Sequence, residues 1–149
     1  MDQKDRKLLR HIQRDARLSH SRLGRLVGLS TSAVNERLRK LKQQGILKKY
    51  VAILNPDSVS LEVCAFIQVL LRNPEDENAF LERVRDLPEV LECHHVTGQF
   101  SYLLKVRAPN VSHLELLLRD AIKNLEGVTR TETLIVLSSP KETTELALP

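Results

Sequence analysis

Cysteine is scarce in this sequence. Its 149 residues hold two, Cys64 and Cys93, far apart and outside any CxxC spacing. That excludes a disulfide framework and fits a reducing cytoplasm. Long apolar runs are missing too, and no stretch approaches the ~18 residues a membrane-spanning helix needs. The opening residues MDQKDRKLLR lead into no apolar signal core, so secretion is not expected. Chemistry-bearing patterns are equally thin. Ser19, Ser21, Ser30 and Ser32 lack a nucleophile-elbow context, and Gly98-Gln99-Phe100-Ser101-Tyr102 lacks phosphate-loop spacing. What remains is an ordinary globular composition, 42% hydrophobic and 28% charged, and a length that suits one domain or two small ones.

The net charge of +4 hides a division. Residues 1–55 hold 14 Lys+Arg against 4 Asp+Glu, a net of +10, and residues 56–149 carry a net of −6. A basic module joined to an acidic one points to a polyanion-binding head on a body with another task.

In the head, three helical patterns follow one another. The first runs from about Gln3 to Arg14 with Leu8, Leu9 and Ile12 on one face. The second starts after Ser19, a potential N-cap, carries Leu23, Leu26 and Val27, and stops at Gly28. Ser30 then caps a third that runs to about Gln44 before Gly45. This is helix-turn-helix spacing. On the third helix Val34, Leu38 and Leu41 form the apolar stripe, while Ser32, Asn35, Glu36 and Arg39, with Thr31 beside them, form a polar face suited to a DNA major groove. Ser30 stands at the start of that face. The segment Ile46 to Leu54 alternates loosely and predicts a short strand or hairpin, a wing whose Lys48 and Lys49 would lie along the DNA backbone.

Asn55-Pro56-Asp57-Ser58 marks a linker. Beyond it the pattern predicts a strand over Leu61 to Leu71, a helix over about Glu75 to Leu87, strands over Val90 to Thr97 and Phe100 to Arg107, a helix over about Val111 to Leu125, and a strand over Val128 to Leu137. The order βαββαβ is the ferredoxin-like arrangement, an antiparallel sheet with both helices on one face. The expected fold class is therefore α+β, with a winged helix-turn-helix at 1–55 and a ferredoxin-like domain at 56–149. The first and last strands are apolar on both sides, and two helices cover one face. A second copy's sheet is the simplest cover for the other, so a homodimer is expected, and two heads can then read two half-sites.

Cys93-His94-His95 is the nearest approach to a metal site. Strand alternation places Cys93 and His95 on one face and His94 on the other, and two ligands from one strand do not complete a zinc site. Cys64 could approach Cys93 across the sheet, with no spacing to support a metal there. His11, His20 and His113 are isolated. No catalytic residue, metal or cofactor is expected.

Several segments, taken together, are characteristic of a known family. Asp5-Arg6-Lys7-Leu8-Leu9, Asp15-Ala16-Arg17, Val27-Gly28-Leu29-Ser30, Val34-Asn35-Glu36-Arg37 and Gly45-Ile46-Leu47 resemble the head of the leucine-responsive regulator (Lrp/AsnC) family. Leu54-Asn55-Pro56, Pro88 to His94, Val96-Thr97-Gly98, Tyr102 to Val106 and Ile135-Val136-Leu137 resemble its body. The resemblance implies a transcription regulator binding double-stranded DNA, a dimer that builds tetramers or octamers, and a small-molecule effector such as an amino acid near Gly98, Gln99, Phe100, Ser101 and Tyr102. The chain departs from the family at that loop. Ser101 stands where many members have Asp, and Gln99 where an acidic residue is common. That departure predicts weak amino-acid binding, a different effector, or none. Two other readings stay open: an architectural protein that compacts DNA, and a tetrapyrrole-decarboxylating enzyme on the same scaffold with His94 and His95 as its candidates.

Overall fold

The computed structural model describes all 149 residues, and the chain divides into two units: Met1–Ile53 together with Lys141–Pro149, and Leu54–Pro140. In the first unit, α1 (Gln3–Arg14), α2 (His20–Val27) and α3 (Thr31–Gln43) fall where the apolar period places them. Each start has a side-chain cap. Asp2 and Asp5 form a reciprocal capping box on α1, the Ser19 hydroxyl accepts the Arg22 N–H at 3.2 Å, and the Ser30 hydroxyl accepts the Ala33 N–H at 3.2 Å. These bonds satisfy N–H groups a helix start leaves without partners. Leu8, Leu9, Ile12, Leu23, Val27, Val34, Leu38 and Leu41 converge in one core.

The turn between α2 and α3 depends on two glycines. Gly28 caps α2 at φ +66°, in the left-handed region. Gly24, inside α2, lets the backbone come close: a Cβ there would stand 2.4 Å from the Leu29 carbonyl oxygen, and the Leu29 N–H donates to the Gly24 carbonyl at 2.9 Å. Lys4 Nζ donates to the Gly28 carbonyl at 3.0 Å, tying α1 to the same turn.

Two features of this unit differ from the sequence expectation. No strand forms over 46–54. The segment expected as a wing has no strand partner, and Val51, Ile53 and Leu54 remain exposed; a strand exists only by pairing. The C-terminal residues, expected with the body, instead pack on the head. Leu148 packs against the head core. Gln13 bonds both ways with the Leu146 backbone, Nε2 to the carbonyl at 3.2 Å and Oε1 from the N–H at 2.8 Å. Arg10 donates to the Leu148 carbonyl at 2.9 Å, and Arg14 Nε meets Glu145 Oε1 at 2.8 Å.

The second unit is a four-stranded antiparallel sheet in the order β2-β3-β1-β4, made of β1 (Val63–Leu71), β2 (Val90–His95), β3 (Tyr102–Ala108) and β4 (Val128–Ile135). Its helices are α4 (Glu77–Arg85), after a short turn at Pro74–Asp76, and α5 (Val111–Leu116). Alternation sorts the strands by face. Ala65, Ile67 and Val69 of β1 and Tyr102, Leu104, Val106 and Ala108 of β3 join Phe80, Val84, Leu114, Leu117 and Ile122 in the core. The second helix differs from the continuous α-helix the period predicts: from Leu117 to Lys123 it widens into a π-helix. Leu117 and Ile122, five residues apart, both reach the core, a spacing the i→i+5 turn accommodates. On the sheet's other face, Phe66 of β1 pairs with Leu134 of β4 and Gln68 with Leu103 of β3; Leu134 is 50% exposed.

Candidate nucleic-acid interface and effector cleft

The exposed side of α3 carries Thr31, Ser32, Asn35, Glu36 and Arg39, all solvent-facing, opposite buried Val34, Leu38 and Leu41. Two expected contacts acquire other work. Ser30 holds the helix start, and its hydroxyl also lies 3.1 Å from that of Ser32. Arg39 is paired: its Nε donates to Glu36 Oε2 at 2.9 Å and its Nη2 to Glu36 Oε1 at 2.7 Å. Lys40 Nζ stands 3.5 Å from the same carboxylate. The Arg39 hydrogen bonds hold the Glu36 carboxyl down at about 2, so it is ionised at any physiological pH. Lys48 and Lys49 are exposed on the extended segment after α3.

Arg37, one residue along from Glu36, points the other way. Its guanidinium donates to Asp5 at 2.8 Å and Asp2 at 2.7 Å, clamping α3 to the start of α1. Hydrogen bonds to Asp5 and Asp2 raise the Arg37 pKa, and the bond from the Asp5 N–H, followed by that from Arg37, lowers that of Asp2. The two carboxylate partners of Arg37 lie more than thirty residues away in the chain, so only the fold brings them to it.

In the body, the loop 98–102 splits. Phe100 is buried, with the Arg130 guanidinium 5.3 Å over its ring, while Gly98 and Gln99 stay outside. Ser101 is not at a free tip. Its N–H donates to the Val69 carbonyl at 2.9 Å, and its hydroxyl accepts the Leu71 N–H at 3.2 Å, so it is stitched to the end of β1. Ser101 and Tyr102, but not Gly98, Gln99 or Phe100, line an open cleft of about 210 Å³ with Leu71, Arg72, Asn73, Pro74, Glu77 and His95. Tyr102 donates its hydroxyl to the Glu77 carboxylate, and His95 stacks on the Tyr102 ring with centroids 5.0 Å apart. Burial, then the Glu77 hydrogen bond, pushes the Tyr102 phenol up to about 12. Glu77, Arg72 and Asn73 escaped the sequence reading because they sit some 25 residues upstream of the loop, at the other end of a strand–helix connection.

Cys93 packs against the core and His95 lies on the same side, whereas His94 lies on the other, 3.0 Å from Glu92; both histidines are exposed. Cys64 stands on β1 with β3 between it and Cys93 of β2, so the two thiols do not approach each other.

The profile of the AsnC-type helix-turn-helix domain matches residues 1–42, and that of the Lrp/AsnC ligand-binding domain matches residues 64–146. The chain belongs to the Lrp/AsnC family. The leucine-responsive regulatory proteins of Klebsiella pneumoniae and of Escherichia coli K12 are each 36% identical to it over 99% of this chain and 92% of their own length. A transcriptional regulator of Neisseria meningitidis, solved in complex with L-Met, superposes with a TM-score of 0.94 at 34% identity, covering 98% of this chain and 96% of that one. Escherichia coli AsnC superposes at 0.91 with 30% identity and 97% coverage of both chains. This Lrp/AsnC protein is an oligomeric DNA-binding transcription regulator and not an enzyme. None of its helices is long and apolar enough to cross a membrane.

Proposed function

We propose that Ser32, Asn35 and Arg39, with Thr31 beside them, read base edges in the major groove, while Lys48 and Lys49 meet phosphates. The observation that carries this is the exposed row of short polar side chains on the first turns of α3, in a head of net charge +10 over residues 1–55. Ser30 serves the row by fixing the helix start. Asn35→Ala and Arg39→Ala each cost about 1–3 kcal/mol on the selected duplex and relax preference at one position per half-site. Lys48→Ala and Lys49→Ala weaken all duplexes alike and each reduce the salt slope by about one. A motif unchanged in both the Asn35 and Arg39 variants would refute this face.

In the body, the cleft beside Ser101 suits a small zwitterion. Its walls carry a carboxylate on Glu77, a guanidinium on Arg72 and the amide of Asn73. Glu77 supplies the negative group that Ser101 lacks, so amino-acid binding does not depend on the loop alone. The complex of the Neisseria regulator with L-Met supports this ligand class. Titration calorimetry against the twenty amino acids tests it. Binding that Glu77→Gln abolishes supports the cleft, and binding that Glu77→Gln leaves unchanged rejects Glu77 as the ammonium partner. Dimers form through the half-exposed sheet face around Phe66, Leu103 and Leu134 and build tetramers or octamers, which sedimentation measures. The free cysteines suit the reducing cytoplasm in which we place the protein.

A further inference from the structure

The head has few acids, and most hold its fold. Asp2 and Asp5 cap α1 and grip Arg37, and Asp15 accepts the Arg17 N–H at 2.8 Å. Glu36 does none of these things. It stands in the middle of α3 on the exposed stripe, between Ser32 and Arg39. A permanent carboxylate on a face that meets a polyanion opposes binding, since every nearby phosphate repels it. Affinity alone gives it no reason to be there.

Its geometry supplies one. Glu36 grips Arg39 along one edge of the guanidinium, through Nε and Nη2. The guanidinium is planar with five N–H donors in a fixed array, so this grip leaves the Nη1 donors and the second Nη2 hydrogen along another edge. That remaining fork matches the O6 and N7 acceptors of guanine. The lone pairs of Glu36 that neither Arg39 nor Lys40, whose Nζ stands 3.5 Å from Oε1, takes up match the N4 amino group of cytosine. A G·C pair thus offers something to both partners. A phosphate offers acceptors only, and meets the carboxylate as repulsion.

We infer that Glu36 is a specificity-determining residue: it positions the Arg39 fork for a G·C pair and weakens docking on duplexes that lack one. This rests on the DNA-reading face proposed above. Its signature has an unusual sign. Removing a contact residue normally weakens every duplex, whereas removing Glu36 tightens binding to the wrong ones.

The experiment is selection from a random duplex pool with the full chain, followed by titration of the enriched duplex and a scrambled one at fixed salt. Wild type enriches a motif with G·C at a defined position of each half-site. Glu36→Gln binds the scrambled duplex several-fold tighter, and its preference for that pair falls by about fivefold or more. Glu36→Asp keeps the charge but is one methylene too short to hold the fork. It therefore retains weak binding to the scrambled duplex and still loses the preference. Arg39→Ala loses the same preference, and adding Glu36→Gln to it changes the preference no further. If wild type enriches a motif and Glu36→Gln keeps both its G·C preference and its weak binding to the scrambled duplex, the inference is overturned while the DNA-reading face stands. If wild type enriches nothing, that face falls and the inference with it.

Discussion

The head and the body hold their polar groups by opposite means. In the head, charges stay in water and are fixed by partners: the Arg39 hydrogen bonds lower Glu36 to about 2, and the hydrogen bond to the Asp5 N–H, with the Arg37 pair, lowers Asp2. In the body, the exposed Arg119–Asp120 pair behaves like the head's charges, but around the cleft burial leads. It raises the Cys93 thiol and, together with Glu77, lifts Tyr102 to about 12. A surface that must meet a charged polymer keeps its charges ionised and oriented. The cleft sets a neutral phenol, that of Tyr102, beside the charged side chains of Glu77 and Arg72. The two units therefore differ in how pH, salt and mutation reach them.

The sharpest way to break the contrast is through the cores. Phe80 is fully buried beneath the sheet, with its ring 5.0 Å from that of Tyr102. Phe80→Ala costs about 3–5 kcal/mol in urea unfolding followed by a body-specific probe. DNA affinity per folded head is expected to stay near wild type, and its parallel loss would show that the units do not divide the work.

Alkali probes the next level. The folded-state pKa of Tyr102 lies above its unfolded value of 10.0, so the neutral phenol stabilises the fold. That contribution is complete below pH 10 and lost as pH rises through about 12. The chain has no tryptophan and two tyrosines, so tyrosinate absorbance reads the titration directly. Tyr50 is 49% exposed, and partial burial raises its phenol as well. Tyr102→Phe removes the step at about 12 and flattens stability between pH 10 and 12. Glu36 has the opposite sign: its ion pair with Arg39 is present above the ordinary carboxylate value of 4.5 and is lost as pH falls toward 2. It is an exposed pair, so the readout there is base preference and not stability.

A smaller effect tests the turn. Gly24→Ala forces a Cβ against the Leu29 carbonyl and costs about 1–3 kcal/mol. The melting transition of the head drops while that of the body holds. Gly28→Ala makes a useful contrast, because nothing lies within 4 Å of a Cβ there and only the positive φ opposes it.

Much of this was legible in the sequence, and the parts that were not share a cause. The bounds of α1, the caps Ser19 and Ser30 and the stripe Val34, Leu38 and Leu41 follow from local period and side-chain chemistry. So does the alternation that separates His94 from Cys93 and His95. Each failure needed a partner distant in the chain. The wing over 46–54 had the composition of a strand but no strand to pair with. The clamp of Arg37 on Asp2 and Asp5 needed α1 to come beside α3. The π-helix at Leu117–Lys123 answers to the sheet it covers. Glu77 joins the cleft only because the start of α4 passes behind β3. Local propensity proposes an element, and distant contacts decide its detail.

The segment Lys141–Pro149 gives the head an unusual history. A helix-turn-helix coded ahead of the body leaves the ribosome before it and has time to fold while the body is made. Here Leu148 and the backbone of Leu146 close onto Leu8's core and onto Gln13 only after the whole body has been translated. Of these two units, the head emerges before the body and is finished after it. A nascent or interrupted chain that stops within the body carries a head without its seal. The completed fold of the DNA-binding unit thus doubles as a record that translation has passed through the whole body.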